Sequence, residues 1–175
     1  HERFRRQRQM CIRDRDFGSG YCVFNDLAVC TLHALENLGV KRVAVVDLDV
    51  HQGDGTATIL ADERRACTIS VHCSTNFPFR KSVSDHDLPV APESGDDVYL
   101  NTVREALDIC EAFEPDLILY QAGVDGLEAD ALGKLNVSRE GMRKRNHLVF
   151  ETATSLGVPL LSLIHISEPT RLTRI

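Results

Sequence analysis

Apolar residues follow a helical spacing in some stretches of the chain and a strand spacing in others. After Asn25 and Asp26, which are good helix caps, apolar residues recur at helical spacing as far as Gly39, so a helix is predicted there. Residues 43–50 then predict a strand. Its first four residues are all apolar, which is typical of a parallel strand covered by helices on both faces.

The same alternation continues along the rest of the chain. Further strands are predicted at residues 67–72, 116–123 and 158–163. Helices are predicted from a cap at Asp96 or Asp97 to residue 114, and from a cap at Ser138 to Leu156, with Gly157 as terminator. Alternating strands and helices imply parallel crossover units, and therefore an α/β fold with helices on both faces of a mainly parallel sheet.

Two segments follow neither spacing. Residues 74–95 contain prolines and serines and are too long for a simple connection, so we expect a functional loop. Residues 124–137 are predicted as a second loop, directly after a strand. Ligands of open α/β sheets gather beyond the carboxyl ends of the strands, which makes these ends the expected place of a site.

Polar residues follow the apolar start of the strand predicted at residues 43–50. Asp47, Asp49 and His51 occupy alternate positions, and strand geometry would point them to one side. Burying two ionised carboxylates together costs on the order of several kcal/mol each unless a cation or hydrogen-bond donors compensate. Asp125 follows another strand and would lie at the same edge as His51. Two carboxylates with one imidazole suit zinc, and three protein ligands leave a position open, as in catalytic sites.

The turn at residues 51–55, HQGDG, adds to this interpretation. Gly53 and Gly55 would let the turn approach a ligand closely, and Asp54 could orient a neighbouring imidazole. Three other functions stay open: a phosphate-binding loop, a phosphatase with an aspartyl nucleophile, and a sugar-nucleotide transferase with an Asp-x-Asp metal motif. The turn lacks the lysine of a P-loop, and a phosphatase would carry a hydroxyl or small residue in place of His51.

Composition narrows the function classes further. The chain has 175 residues, 43% hydrophobic and 26% charged, which fits one ordinary globular domain. Its six cysteines form no CxxC pair, so a reducing, cytoplasmic location is predicted. The net charge of -6 combines basic ends with an acidic middle, which does not fit a nucleic-acid-binding face. The longest apolar stretches are strand-length, so neither a membrane span nor a secretory signal is expected.

Five stretches together resemble the zinc-dependent histone deacetylase family: GSGYCVFND, VVDLDVHQGDGT, NFPFRK, LYQAGVDGLEADALGKL and EGMRKRNHLVF. The resemblance covers residues 16–161 in order and is greatest to the class IV-like bacterial branch. It implies part of a three-layer α-β-α fold of the arginase/deacetylase type. It also implies hydrolysis of acetyl-lysine or a related acylated amine by a metal-activated water.

The resemblance implies roles for residues around the predicted metal site. Zinc (Zn2+) would be bound by Asp49, His51 and Asp125. Asp47 and Asp54 would each orient a catalytic histidine, and so would act through that histidine.

Two further sets of residues receive roles from the resemblance. Tyr21 and Phe77 would flank the channel for the acyl group. A structural monovalent cation, K+, would be held by Asp47, by Ser70 and by the backbones of Asp49, His51 and Val71.

The resemblance also places catalytic groups where this chain has other residues. The general-base His-His pair would fall near positions 11 and 12, which are Cys11 and Ile12. The oxyanion-stabilising tyrosine would follow the last predicted strand, where the sequence is IHISEPTRLTRI. We therefore expect an inactive fragment, a partial deacetylase domain at residues 16–161, with residues 1–15 and 162–175 as non-native or disordered ends.

The expected partners follow from the same resemblance. They are an acylated lysine, an acylated polyamine or another small acylated amine, with no direct nucleic-acid or membrane contact. Two alternatives remain: a non-catalytic module that binds zinc and an acylated ligand, and the Asp-x-Asp sugar-nucleotide transferase.

Overall fold

One parallel sheet organises residues 24–163, the part of the chain that the computed structural model describes. Its strands are β1 (Val43–Asp47), β2 (Ala66–Cys73), β3 (His86–Val90), β4 (Leu117–Gln121) and β5 (Leu160–Leu163). The strand order is β3-β2-β1-β4-β5, and every neighbouring pair is parallel. From β1 the chain builds the sheet outward in one direction and then, from β4, in the other. Such a reversal opens a crevice between β1 and β4 at their carboxyl ends.

Helices cover both faces of this sheet. They are α1 (Asp26–Asn37), α2 (Asp54–Leu60), α3 (Asp96–Phe113) and α4 (Arg139–Leu156). α1 and α2 contribute Leu35 and Leu60 to one buried cluster, and α3 and α4 contribute Val103 and Val149 to a cluster on the opposite face. The predicted α/β fold of three layers is therefore confirmed.

The central strand β1 is buried on both faces. Val43 and Val45 belong to the cluster with α1 and α2, whereas Ala44 and Val46 belong to the cluster with α3 and α4. All five residues of β1 are buried. This two-sided burial explains why the strand shows an unbroken apolar run in place of alternation.

Side chains and glycines fix the helix ends largely as predicted. The carboxamide oxygen of Asn25 accepts a hydrogen bond from the Ala28 amide at 2.9 Å, and the Ser138 hydroxyl accepts one from the Gly141 amide at 3.0 Å. Gly157 ends α4 in the left-handed region, with φ of 66°. The predicted cap of α3 was wrong: Gly95 is the cap residue, and Asp96 is the first residue of the helix.

Two elements were not predicted. β3 lies inside the segment 74–95 that the sequence predicted as one irregular loop, and it pairs with β2 at the edge of the sheet. α2 begins within the HQGDG stretch, at Asp54, and spans seven residues. The strand predicted at residues 43–50 also ends earlier, at Asp47, so Asp49 and His51 follow the strand and do not belong to it.

Several of the sequence predictions fall at the chain ends, outside the described residues. Residues 1–15, which include Cys11 and Ile12, lie outside them, and so does Tyr21. β5 continues to Leu163, two residues past the predicted domain limit at residue 161. Within residues 24–163, none of the helices has the length and apolar character needed to cross a membrane.

Candidate metal centre

Two loops leave the sheet side by side at the crevice between β1 and β4. Asp47 and Gln121, the last residues of these strands, are paired in register, and the amide of Leu48 donates to the Gln121 carbonyl at 3.1 Å. One loop carries Asp49 and His51, and the other carries Asp125. The strand order therefore brings together residues that lie more than 70 positions apart in sequence.

The three predicted zinc ligands meet at this point. The Nδ1 atom of His51 lies 2.9 Å from Oδ2 of Asp125 and 3.1 Å from Oδ1 of Asp49. One ligand atom from each residue lies within 4.8 Å of the others. The side chains of Asp125, Asp49 and His51 are only 0%, 6% and 13% exposed. Two buried carboxylates and one imidazole therefore share a small, largely solvent-excluded volume.

A tight turn, and not strand alternation, produces this convergence. Oδ1 of Asp47 accepts from the Asp49 amide at 3.1 Å, and Oδ1 of Asp49 accepts from the His51 amide at 2.8 Å. Such bonds, from a side chain to an amide two residues on, are how aspartates shape turns. The Val50 amide donates to Oδ1 of Asp125 at 3.0 Å and ties the second loop to the first. The structure brings Asp49, His51 and Asp125 together as expected, but the strand geometry invoked to align them was wrong.

The charges of the site favour a cation at its centre. Burial disfavours a charged imidazole, but hydrogen bonds that it donates to Asp125 and Asp49 raise the pKa of His51 to about 9. Burial, together with the nearby charge of Asp49, holds the pKa of Asp125 above its usual value. The two carboxylates thus retain a positive charge between them, and a divalent ion would satisfy the same requirement.

Glycines allow the backbone to approach these carboxylates closely. A Cβ atom on Gly53 would collide with the carboxylate of Asp47, and one on Gly123 would collide with Asp49. Gly53 thus lies close to the Asp47 side chain, whereas the sequence prediction concerned its approach to a ligand; the role of Gly123 was not predicted.

The donor set fits zinc. Ligand atoms about 2.0–2.1 Å from a tetrahedral zinc ion lie roughly 3.3 Å from one another. The contacts of 2.9 and 3.1 Å from Nδ1 of His51 to the two carboxylates are close to this spacing. Two carboxylate oxygens and one imidazole nitrogen are also ligands that zinc takes at catalytic sites.

Asn76 was missed by the sequence reasoning and lies against the site. Its side chain is 3% exposed, and its amide nitrogen is 3.3 Å from Nε2 of His51. The same nitrogen donates to the Leu132 carbonyl at 2.9 Å, and its oxygen accepts from the Lys134 amide at 3.1 Å. Asn76 therefore joins the imidazole to the loop that follows Asp125. Its sequence signals were its position in a segment already predicted to be functional and its place as the first residue of the NFPFRK stretch.

The structure also describes four of the other predicted site residues. Asp54 is the first residue of α2, is buried, and accepts a bond from the Gly55 amide at 3.0 Å. Ser70 is the register partner of Asp47, and its hydroxyl lies 3.0 Å from Nδ1 of His72. Val71 is fully buried in the core, and Phe77 is 40% exposed.

Comparisons with known proteins agree on one family. The family model described as histone deacetylase domain matches residues 13–165. An uncharacterised protein of Picosynechococcus is 42% identical over 149 residues, covering 85% of this chain and 50% of the relative. Histone deacetylase 2 of Arabidopsis thaliana is 34% identical over 157 residues, covering 87% of this chain and 40% of the relative.

A solved structure supports the same fold. The crystal structure of a histone deacetylase homologue complexed with SAHA has a TM-score of 0.72 and 27% identity, and the match covers 84% of this chain and 42% of that one. The chain thus spans about half the length of the curated relatives it matches, or somewhat less.

Proposed function

Because the chain belongs to the histone deacetylase family, we propose that it forms the metal-binding part of a zinc-dependent deacetylase that hydrolyses acylated amines. The observation that carries this proposal is the convergence of Asp49, His51 and Asp125 within 4.8 Å at the carboxyl ends of β1 and β4. The site lies beyond the carboxyl ends of the strands, which is where open α/β sheets bind their ligands.

The three ligands would supply two kinds of donor to a metal ion. Asp49 and Asp125 supply negative charge, and His51 supplies a neutral nitrogen once its proton is displaced. A zinc ion bound here would supply Lewis acidity toward an amide carbonyl and toward water. The low exposure of all three side chains keeps competing water away and strengthens electrostatic interactions at the site.

Neighbouring residues hold the ligands in place. Asp47 fixes the Asp49 amide, and Asn76 contacts the far side of the His51 ring. For Nδ1 of His51 to bind a metal ion, its Nε2 atom must carry the proton, so the Asn76 amide nitrogen, itself a donor, restricts the ring by contact and accepts no hydrogen bond from it. We propose that Phe77, next to Asn76, forms one wall of the acyl channel together with Tyr21.

Finer features of the function remain proposals. We propose Asp47 and Asp54 as orienting residues for catalytic histidines. We also propose a K+ ion held by Asp47, by Ser70 and by the backbones of Asp49, His51 and Val71. The pairing of Asp47 with Ser70 on adjacent strands supports the second of these. A class IV-like bacterial origin is proposed on the resemblance alone, and a cytoplasmic location on the six cysteines, which form no CxxC pair.

The expected activity of the 175-residue chain is low. Cys11 and Ile12 stand where the resemblance places the general-base histidines. Loss of a general base costs about 10²-fold to 10⁴-fold in rate. We therefore expect the chain to bind zinc and an acylated amine with little turnover, which is also the behaviour of the non-catalytic alternative.

Calorimetric titration of the metal-free chain with Zn2+ tests the proposal. We expect one ion per chain, and Asp49→Ala should weaken binding by more than about 100-fold because a direct ligand is lost. Asp62→Ala, which removes an exposed carboxylate outside the site, is the matched control and should change nothing. A chain that binds no zinc, or binds it equally well without Asp49, would contradict the proposal.

Substrate class requires a second measurement on the same protein. Hydrolysis of an acetyl-lysine peptide and of an N-acetylated polyamine should both be slow, and each ligand should bind more tightly with zinc present. Rapid hydrolysis of either would overturn the expectation drawn from Cys11 and Ile12, while leaving the zinc site intact.

A further inference from the structure

A buried arginine lies beneath the metal centre and has no part in the function proposed above. Arg145, on α4, is 1% exposed, although Arg143 and Lys144 beside it are exposed. Burying a guanidinium is unfavourable unless oxygen atoms accept its hydrogen bonds. Its surroundings therefore indicate what it stabilises.

The guanidinium bonds to the backbones of both ligand-bearing loops. Its Nη1 atom donates to the Gly123 carbonyl at 2.6 Å and to the Leu48 carbonyl at 3.4 Å. Its Nη2 atom donates to the Ala122 carbonyl at 3.5 Å. Leu48 directly precedes Asp49, and Gly123 lies two residues before Asp125. Arg145 thus links the backbone of one loop to the backbone of the other, directly under the ligands.

Neighbouring side chains fix the orientation of this arginine. Oδ1 of Asn146 accepts from Nε at 3.1 Å and from Nη2 at 2.9 Å, and it also accepts from the Tyr120 hydroxyl at 2.7 Å. The guanidinium carbon lies 5.8 Å from the centre of the Tyr120 ring. Because Asn146 holds one edge of the planar guanidinium, the remaining N–H groups of Arg145 point in a fixed direction.

A second buried donor acts on the same carbonyl. The hydroxyl of Tyr99, on α3, donates to the Leu48 carbonyl at 3.2 Å, and the Tyr99 side chain is 1% exposed. Two helices therefore each send one long polar side chain to the residue that precedes Asp49. The Leu48 amide is bonded to the Gln121 carbonyl, so these two side chains serve the other polar group of the Leu48 backbone, its carbonyl.

We infer that Arg145, assisted by Tyr99, is a positioning residue that sets the separation of the two loops and so preorganises Asp49, His51 and Asp125 for a metal ion. This inference rests on the proposed zinc site. The positive charge of Arg145 also interacts with the buried carboxylate of Asp125 and helps to offset it. Residues that orient metal ligands in this way typically change metal affinity by 10-fold to 100-fold when they are replaced.

The test measures zinc affinity and the visible absorption spectrum of the Co2+ form, which reports ligand geometry. Arg145→Met keeps much of the buried volume but removes every donor, and we expect it to weaken zinc binding by about 10-fold to 100-fold and to change the Co2+ spectrum. Arg145→Lys and Tyr99→Phe should give intermediate losses, because each leaves part of the link between the loops.

Val149→Ala is the matched control, since Val149 is buried on the same helix but lies in the apolar cluster. It should lower stability and leave zinc affinity and the Co2+ spectrum unchanged. If Val149→Ala weakens zinc binding as much as Arg145→Met does, Arg145 is merely structural and the inference is wrong. The inference is equally wrong if Arg145→Met folds and its zinc affinity is within about twofold of the wild-type value.

The remaining outcomes are also decisive. If Arg145→Met does not fold, the test rests on Arg145→Lys and Tyr99→Phe. Unchanged zinc affinity and unchanged Co2+ spectra in both variants would overturn the inference. A wild-type chain that binds no zinc would overturn the proposed function and this inference together. Wild-type binding with unaffected variants would overturn the inference alone.

Discussion

Replacing Gly123 by alanine should damage the metal centre while leaving the fold in place. A Cβ atom built on Gly123 would lie 2.8 Å from both Cα and Cγ of Asp49, and closer still to its carboxylate. Ordinary contact begins at 3.4 Å, so the shortfall is at least about 0.6 Å. Because one of the atoms is the Cα of Asp49, a change of rotamer cannot relieve the collision. The whole ligand-bearing backbone must move.

The expected losses follow from that displacement. Overpacking a tight site costs typically about 1–3 kcal/mol of unfolding free energy. A ligand moved by a fraction of an ångström loses its alignment with His51, 3.1 Å away, and we expect zinc affinity to fall by about 10-fold to 100-fold. The affinity loss should persist at temperatures where the variant is fully folded.

Two measurements separate these effects. Urea unfolding of the metal-free protein gives the stability change, and competition with a chromophoric chelator gives the zinc affinity. Gly95→Ala is the matched control, because the nearest atom to a Cβ there is the Asn136 carbonyl oxygen at an ordinary 3.8 Å. It should affect only stability, by less than about 1 kcal/mol. Folded Gly123→Ala with the zinc affinity of the wild type would refute the steric reasoning.

Three other substitutions test separate parts of the structure. Asp125→Ala should weaken zinc binding by more than about 100-fold; unchanged metal affinity, with nucleotide binding in Mg2+ or Mn2+, would favour the Asp-x-Asp sugar-nucleotide transferase. Ser138→Ala removes the cap of α4 and the 2.6 Å bond to Asp96, and urea unfolding should show a loss of about 1–2 kcal/mol. Hydrogen bonds from Arg65 lower the pKa of Glu63 to about 2. The stability that this pair contributes is therefore fully present above the unfolded pKa of Glu63, near 4.5, and is lost as pH falls toward 2. Glu63→Gln should therefore be less stable than wild type at pH 7, and the gap in urea midpoint should narrow by pH 3; a gap that stays constant would contradict the assignment.

Long, capped and periodic elements were predictable from the sequence. α1, α3 and α4 each combine an apolar stripe with a polar or glycine residue at their ends. β1 shows the uniform burial that its apolar run indicates. In these elements local preference and tertiary packing agree, and this agreement is what makes a pattern informative.

Short elements at the margins were not predictable. α2 has seven residues, among them Gly55 and two threonines, which are poor helix formers. β3 contains Pro89 and two charged or ionisable residues, and it is tolerated because it lies at the edge of the sheet. Both elements form because of contacts with distant parts of the chain, and the local sequence does not indicate those contacts.

The clustering of the three proposed metal ligands was predictable, but the residues behind them were not. Asp49, His51 and Asp125 follow apolar strands, and a parallel sheet brings such ends together. Arg145 stands among charged neighbours and looks like a surface residue. Its spacing from Met142 and Val149, three and four positions away on the buried stripe of α4, was the signal that could have found it.

A crystal structure of the zinc-soaked protein, with data collected at the zinc absorption edge, tests the central proposal most directly. We expect one strong anomalous peak about 2.0–2.2 Å from a carboxylate oxygen of Asp49, Nδ1 of His51 and a carboxylate oxygen of Asp125. No peak at these three side chains, or a peak bound by other residues alone, would contradict the proposed metal centre.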